Sequence, residues 1–199
     1  MYRKSFLDSN KIEFGDYRYA EDKIYNYFCY IAGARYAFID KKIYVYRRNE
    51  QSVSNTYRKD GDKDWMRIAQ DLQDKIDSLN YEKKQYSQDE IENYESIVAW
   101  TIYFAAFFDG KMEYEYSTGK IRAVINLLKR YASYDLTKKY LKNPLRYTKK
   151  IPALSYKIML GGFAFLMKCN MYLLLSLGIK LLVDCHIDER LSDTGRKED

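Results

Sequence analysis

From Leu136 to Val183 the chain carries no Asp or Glu, yet it holds nine bases: Lys138, Lys139, Lys142, Arg146, Lys149, Lys150, Lys157, Lys168 and Lys180. The same stretch is the most apolar of the sequence, and Ile158 to Ile179 is 22 residues with Lys168 as its one charge. That length is enough to span a bilayer. Lys168 near its centre opposes insertion by about 3 kcal/mol, and Asn170 with the three glycines removes most of the remaining drive. A helix lying in the interface, with lysines toward the headgroups and Phe, Leu and Met inward, meets neither penalty. Lys157 and Lys168 are eleven residues apart, so an unbroken helix places both on one face. Gly161, Gly162 and Gly178 are candidate points of division into shorter pieces. A hydrophobic hairpin packed on the rest of the protein is the alternative.

The whole chain has a formal charge of +6, with 34 Lys and Arg against 28 Asp and Glu. Without the nine bases of this segment the acids outnumber the bases, so the positive excess belongs to the segment alone. Basic and apolar together suit an anionic membrane surface. A nucleic-acid module sets its bases beside exposed aromatics on a polar face, and that pattern is not found here. The expected partner is an anionic membrane surface and not nucleic acid.

With 199 residues, 47% hydrophobic and 31% charged, the chain is globular rather than disordered and can bury one good core. Cys29, Cys169 and Cys185 have no metal-ligand spacing, and Cys29 sits in an apolar helix-like run that suits a buried thiol. His186 is the only histidine and reads as a surface residue of the tail.

Periodicity divides the chain further. Ile24, Tyr27, Phe28, Ile31 and Ala32 recur at helical spacing over 21–34, with Gly33 as a stop. Residues 36–39 and 43–47 are β-rich and predict a hairpin, or two neighbouring edge strands; 49–64 reads as a long loop. Trp65, Ile68, Ala69, Leu72, Ile76 and Leu79 form one apolar stripe of a helix. Ser87 and Glu90 match a capping box opening a helix to about Phe108, before Asp109-Gly110. Gly119 to Tyr131 is helical, with Ile121, Val124, Ile125 and Leu128 on one side. The end, 186–199, is expected to be disordered.

The acidic pair Glu21-Asp22 stands at a predicted helix start, where unpaired N–H groups and the helix dipole favour ionised carboxylates. Such a group can accept a proton from a sugar hydroxyl; by pattern alone, ordinary capping is the commoner role. The surrounding series supplies context. Tyr2-Arg3-Lys4-Ser5-Phe6-Leu7, Ile12-Glu13-Phe14, Tyr19-Ala20-Glu21-Asp22, Phe38-Ile39-Asp40, Tyr44-Val45-Tyr46-Arg47-Arg48 and Ser52-Val53-Ser54 follow one another in order. Together they resemble the second half of the catalytic domain of bacterial-type family-2 glycosyltransferases with the GT-A fold, nearest to those of capsule, exopolysaccharide and teichoic-acid assembly. The likeness covers about 2–57.

The resemblance implies an inverting transfer of sugar from a nucleotide sugar to a cell-surface glycan acceptor. Asp22 then matches the base that deprotonates the acceptor, and Glu21 its acidic neighbour. Arg47, Ser52 and Ser54 match a loop over the donor phosphates. It also implies Mg²⁺ or Mn²⁺ for a complete enzyme, whose nucleotide-binding half and Asp-x-Asp have no counterpart here. Asp62-Lys63-Asp64 has that spelling but precedes a helix, where a cap or a solvated turn is the expected role. The polypeptide by itself is therefore expected to be an N-terminally truncated, inactive fragment with no metal ligands of its own.

The expected architecture is α+β, mainly α. Residues 1–60 form part of a GT-A half (a helix plus a β-hairpin), 61–150 a helical extension, 151–185 a membrane-associating helical tail, and 186–199 a disordered end. The expected location is peripheral, at the cytoplasmic face of the cell membrane. A non-catalytic peripheral membrane or interaction module is the competing function.

Overall fold

The computed structural model describes residues 2–18, 20–37, 39–41, 57–81 and 86–185. In chain order the helices are α1 (Lys4–Ser9), α2 (Glu21–Ile31), α3 (Gly61–Tyr81), α4 (Gln88–Tyr116), α5 (Lys120–Ser133), α6 (Asp135–Leu141), α7 (Pro144–Thr148), α8 (Leu154–Lys168) and α9 (Tyr172–Asp184). No strand is present among the described residues, which corrects the α+β expectation. Tyr36, Ala37 and Ile39 are irregular; 43–47, the other half of the expected hairpin, lies outside the described residues. The physical reason is local. A hairpin without further strands is marginal in water. Gly33, at φ +81°, instead turns the chain back along α2, where the Tyr36 hydroxyl donates to the Asn26 carbonyl at 3.2 Å.

α4 is the axis of the bundle, in contact with α3, α5, α7, α8 and α9. A helix surrounded in this way must be apolar on every side, and Val98, Ala99, Ile102, Tyr103, Ala105 and Ala106 are all fully buried. Alanines at three of these positions let neighbouring helices approach closely. α3 lays its predicted stripe against this axis: Trp65, Ile68, Ala69, Leu72, Ile76 and Leu79 are all buried. Buried tyrosines need partners for their hydroxyls. Tyr103 donates to the Tyr140 carbonyl at 2.9 Å, and Tyr140 donates to the Gln73 side chain. One core runs from Ile24 and Ile31 of α2 to Leu175 and Ile179 of α9. A smaller cluster of Ile12, Tyr25, Cys29 and Ala32 holds α1 against α2.

α4 begins as expected. The Ser87 side chain accepts the Glu90 amide, and the Glu90 carboxylate accepts the Ser87 amide at 2.8 Å. Ser87→Ala removes one half of this exchange and is expected to cost about 1 kcal/mol, a fall of roughly 2–4 °C in a thermal melt. An unchanged midpoint would show that tertiary packing alone holds that helix end.

α4 does not stop at Asp109-Gly110 but continues to Tyr116. The glycine serves packing here: a Cβ at Gly110 would lie 2.8 Å from Ile179 Cδ1, so it is the place where α9 crosses. The tail also divides differently. Gly161, Gly162 and Gly178 lie inside helices, and the break falls at Asn170, which takes φ +57° between α8 and α9. α8 and α9 both pack on α4 and α5, so the tail is a helical hairpin. Among the described residues no helix is long and apolar enough to cross a membrane.

Candidate functional site

α2 starts without a side-chain N-cap. Ala20 precedes it in the left-handed region (φ 50°), a conformation that costs a non-glycine residue about 1–2 kcal/mol. Strain of this kind collects at functional sites. Glu21 and Asp22 occupy the first turn, and both are exposed. Asp22 Oδ1 accepts the Lys23 amide at 2.7 Å, and the carboxylate forms no ion pair among the described residues. Oδ2 is thus left facing solvent. One turn further on, Asn26 is held on two sides. Its Nδ2 donates to the Asp22 carbonyl at 2.9 Å, and its Oδ1 accepts the Tyr2 hydroxyl at 2.8 Å.

Clefts border α2 on more than one side. On the Ala20, Lys23, Ile24 and Tyr27 side is an apolar cleft of about 200 Å³, closed by Trp65, Trp100 and Phe104. On the Asn26, Cys29 and Gly33 side is a more polar cleft of about 650 Å³. Asp22 shares the helical face of Asn26, four residues earlier, and so belongs with the polar side. Neither Glu21 nor Asp22 lines either cleft. The three other expected site residues, Arg47, Ser52 and Ser54, lie outside the described residues, as does His186.

Asp62-Lys63-Asp64 is not a solvated turn. Asp62 is buried at 2% exposure in the first turn of α3. It accepts from Arg130 Nη2 at 3.1 Å, Arg130 Nε at 3.3 Å and the Tyr134 hydroxyl at 3.0 Å. Asp64 faces Arg18 at 4.0 Å. With its lone pairs taken up in this way, Asp62 does not fit a metal ligand. Among the described residues no group of three His, Cys, Asp or Glu is arranged to hold an ion. No step through Mg²⁺ or Mn²⁺ is therefore built on these residues.

Beside Asp62 lies a second acid that the sequence did not single out. Asp109 accepts the Tyr131 hydroxyl at 2.6 Å. Burial raises its carboxyl to about 7; the Tyr131 and Trp65 hydrogen bonds pull the other way, while the Asp62 and Glu113 charges add to the rise. Burial and the adjacent Asp109 in turn push the Tyr131 phenol well above its usual value. The group joins α3, α4 and α5 at one end of the bundle. Its hydrogen-bonded partners are 22 to 72 positions apart in the chain, so no local pattern could reveal them.

The sign of the resulting pH dependence is set by a folded pKa above the unfolded value of about 3.9. The native state binds the proton more tightly, so stability is greatest below that value and falls as pH rises to about 7, then levels. Asp109→Asn keeps an acceptor for Tyr131 and removes the titration. Its denaturation midpoint is expected to gain on the parent between pH 5 and pH 8; parallel profiles would rule this out.

The chain matches no protein-family model, no curated protein and no solved structure.

The tail has its own geometry. α8 turns Leu160, Phe163, Ala164 and Met167 inward and leaves Leu154, Ile158 and Phe165 outward, at 47 to 68% exposure. α9 buries Leu175, Ser176 and Ile179 and leaves Leu173, Leu174, Leu177 and Leu181 outward, at 47 to 59%. Seven large apolar side chains thus face away from the core on two adjacent helices. Six of the nine bases of the acid-free stretch meet carboxylates. Lys138 pairs with Asp135, Lys139 with Glu95, Arg146 and Lys149 with Glu92, Lys150 with Asp89, and Lys180 with Asp184. Lys142, Lys157 and Lys168 pair with no carboxylate among the described residues, and Lys168 donates to the Lys142 carbonyl at 2.8 Å. Much of the positive charge counted along the sequence is therefore matched by acids of α4, which the linear charge pattern does not reveal.

Proposed function

We propose that the chain is the acceptor-side part of an inverting glycosyltransferase, acting from a nucleotide-sugar donor on a cell-surface glycan at the cytoplasmic face of a membrane. The observation that carries this reading is Asp22: an exposed carboxylate in the first turn of α2, without an ion-pair partner among the described residues, set within the ordered motif series of the N-terminal segment. In this reading Asp22 Oδ2 takes the proton of the acceptor hydroxyl as its oxygen attacks the anomeric carbon and the nucleotide diphosphate departs. Glu21 adds a second exposed acid, without an ion-pair partner among the described residues.

The membrane part of the proposal has separate support. The outward stripe of α8 and α9 is apolar, and Lys157 and Lys168 border the α8 half of it. Apolar side chains flanked by lysines suit insertion into the headgroup boundary of an anionic leaflet. This observation equally favours a second reading, a non-catalytic module that docks on the membrane. The two part at Asp22. A polypeptide joining this chain to a nucleotide-binding α/β half is assayed for sugar transfer with Asp22 and with Asn in its place. Transfer that needs Asp22 supports the enzyme; transfer indifferent to the change leaves the docking module.

A further inference from the structure

The polar cleft beside α2 has a charge character of its own. It lies between Arg3, at the entrance to α1, and Arg35, in the segment that Gly33 folds back along α2. Both arginines are exposed, and neither meets a carboxylate among the described residues. Among the described residues the lining contains no Asp or Glu. The other polar groups in the wall are already engaged with one another: Tyr2 donates to Asn26, Asn26 to the Asp22 carbonyl, and Tyr36 to the Asn26 carbonyl. These bonds fix the wall and leave the two guanidinium groups as its free donors among the described residues.

An isolated exposed arginine is ordinary. Two in one concavity without a counter-ion repel each other, and an anion bound between them relieves that repulsion. The C-terminal end of α2 also faces this side and carries roughly half a negative charge. Two full positive charges outweigh it. Guanidinium forks match the geometry of phosphate and bind it by paired, charge-assisted hydrogen bonds. Tyr2 and Tyr36, at 47% and 49% exposure, add ring surface with a wet edge at the rim.

We propose that this cleft is an anion subsite in which Arg3 and Arg35 hold a phosphate group of a saccharide ligand. That the saccharide is the acceptor rests on the glycosyltransferase reading, through the position of Asp22 one turn before Asn26 on the same face. Anion binding by the cleft does not rest on it. Together they specify the acceptor class: a phosphate-bearing glycan whose charged group sits in the cleft while its hydroxyl is presented toward Asp22.

The test is titration calorimetry of the full chain at about 0.15 M salt, with glucose 6-phosphate and with glucose as probes. Saturable binding of the phosphate ester and none of glucose is expected. Arg3→Gln and Arg35→Gln each weaken binding by about tenfold or more, as expected for loss of a hydrogen bond to a charged group. Arg122→Gln, at an exposed position on α5, binds like the parent. All the altered side chains are exposed, so folding is retained and is checked by circular dichroism. No saturable binding by the parent overturns the proposal. So does equal affinity in every variant, which would mark adsorption to a chain of net charge +6. Asp22→Asn separates the two claims. Intact phosphate binding with transfer independent of Asp22 defeats only the catalytic reading. Absent phosphate binding with Asp22-dependent transfer defeats only the subsite.

Discussion

On the proposed reading, Asp22→Asn is expected to lower kcat for sugar transfer by about 100- to 10,000-fold, the usual range for loss of a general base, in an enzyme that joins this chain to a nucleotide-binding half. The substitution is nearly isosteric and the position is exposed, so folding is not at issue. Asn can still accept the Lys23 amide through its Oδ1, which keeps the first turn of α2 as it is. What it cannot do is hold a proton. The loss is therefore expected in kcat, with donor KM little changed, because the carboxylate gains its interaction only as the acceptor hydroxyl ionises. Glu21→Gln serves as comparison. It removes one of the two exposed acids of the turn and leaves the proton acceptor in place, so a loss of less than tenfold is expected. Equal losses at the two positions would mean that charge at the helix start, not proton transfer, is what matters.

Replacing Leu173, Leu177 and Leu181 together by Gln is expected to lower partition onto anionic vesicles by about 100-fold. The magnitude follows from area. Each side chain is roughly half exposed and withdraws about 1 kcal/mol worth of apolar surface from water on insertion. Because these residues point away from the core, the melting temperature should stay the same. Changing Lys142, Lys157 and Lys168 to Gln tests the charge contribution, at about 1 kcal/mol per lysine near an anionic surface. That set should abolish the preference for anionic over neutral lipid while leaving residual binding to both. Co-sedimentation of the leucine variant at the parental level would remove the docking face altogether.

Four of the helices were legible because their causes are local, α5 among them through Val124 and Leu128 on its buried face. The Trp65 to Leu79 stripe repeats at the pitch of the helix, the Ser87–Glu90 exchange spans three residues, and Gly33 ends α2 where a left-handed residue is needed. The start of α2 at Glu21-Asp22 was visible for the same reason. Asp109-Gly110 misled because glycine has two uses, and only contact with Ile179, 69 residues away, shows that this one makes room for a crossing helix. The β-rich run beginning at Tyr36 misled because side-chain preference for strands depends on a sheet to pair with, and among the described residues Tyr36 meets α2 instead.

The state of each charged group lay further from reach. Asp62 and Asp22 look alike along the chain, each an acid at a helix start. Folding brings Arg130 and Tyr134 to the first and nothing to the second among the described residues. The acid-free stretch 136–183 likewise reads as strongly basic until α4 places Asp89, Glu92 and Glu95 against Lys139, Arg146, Lys149 and Lys150 in its first part. Short-range periodicity and capping chemistry thus specify where helices run and which face of each is apolar, since those forces act within a turn or two. Which acids stay free, which bases are matched and which apolar faces remain uncovered depend on partners far away in the chain, and no local pattern encodes them.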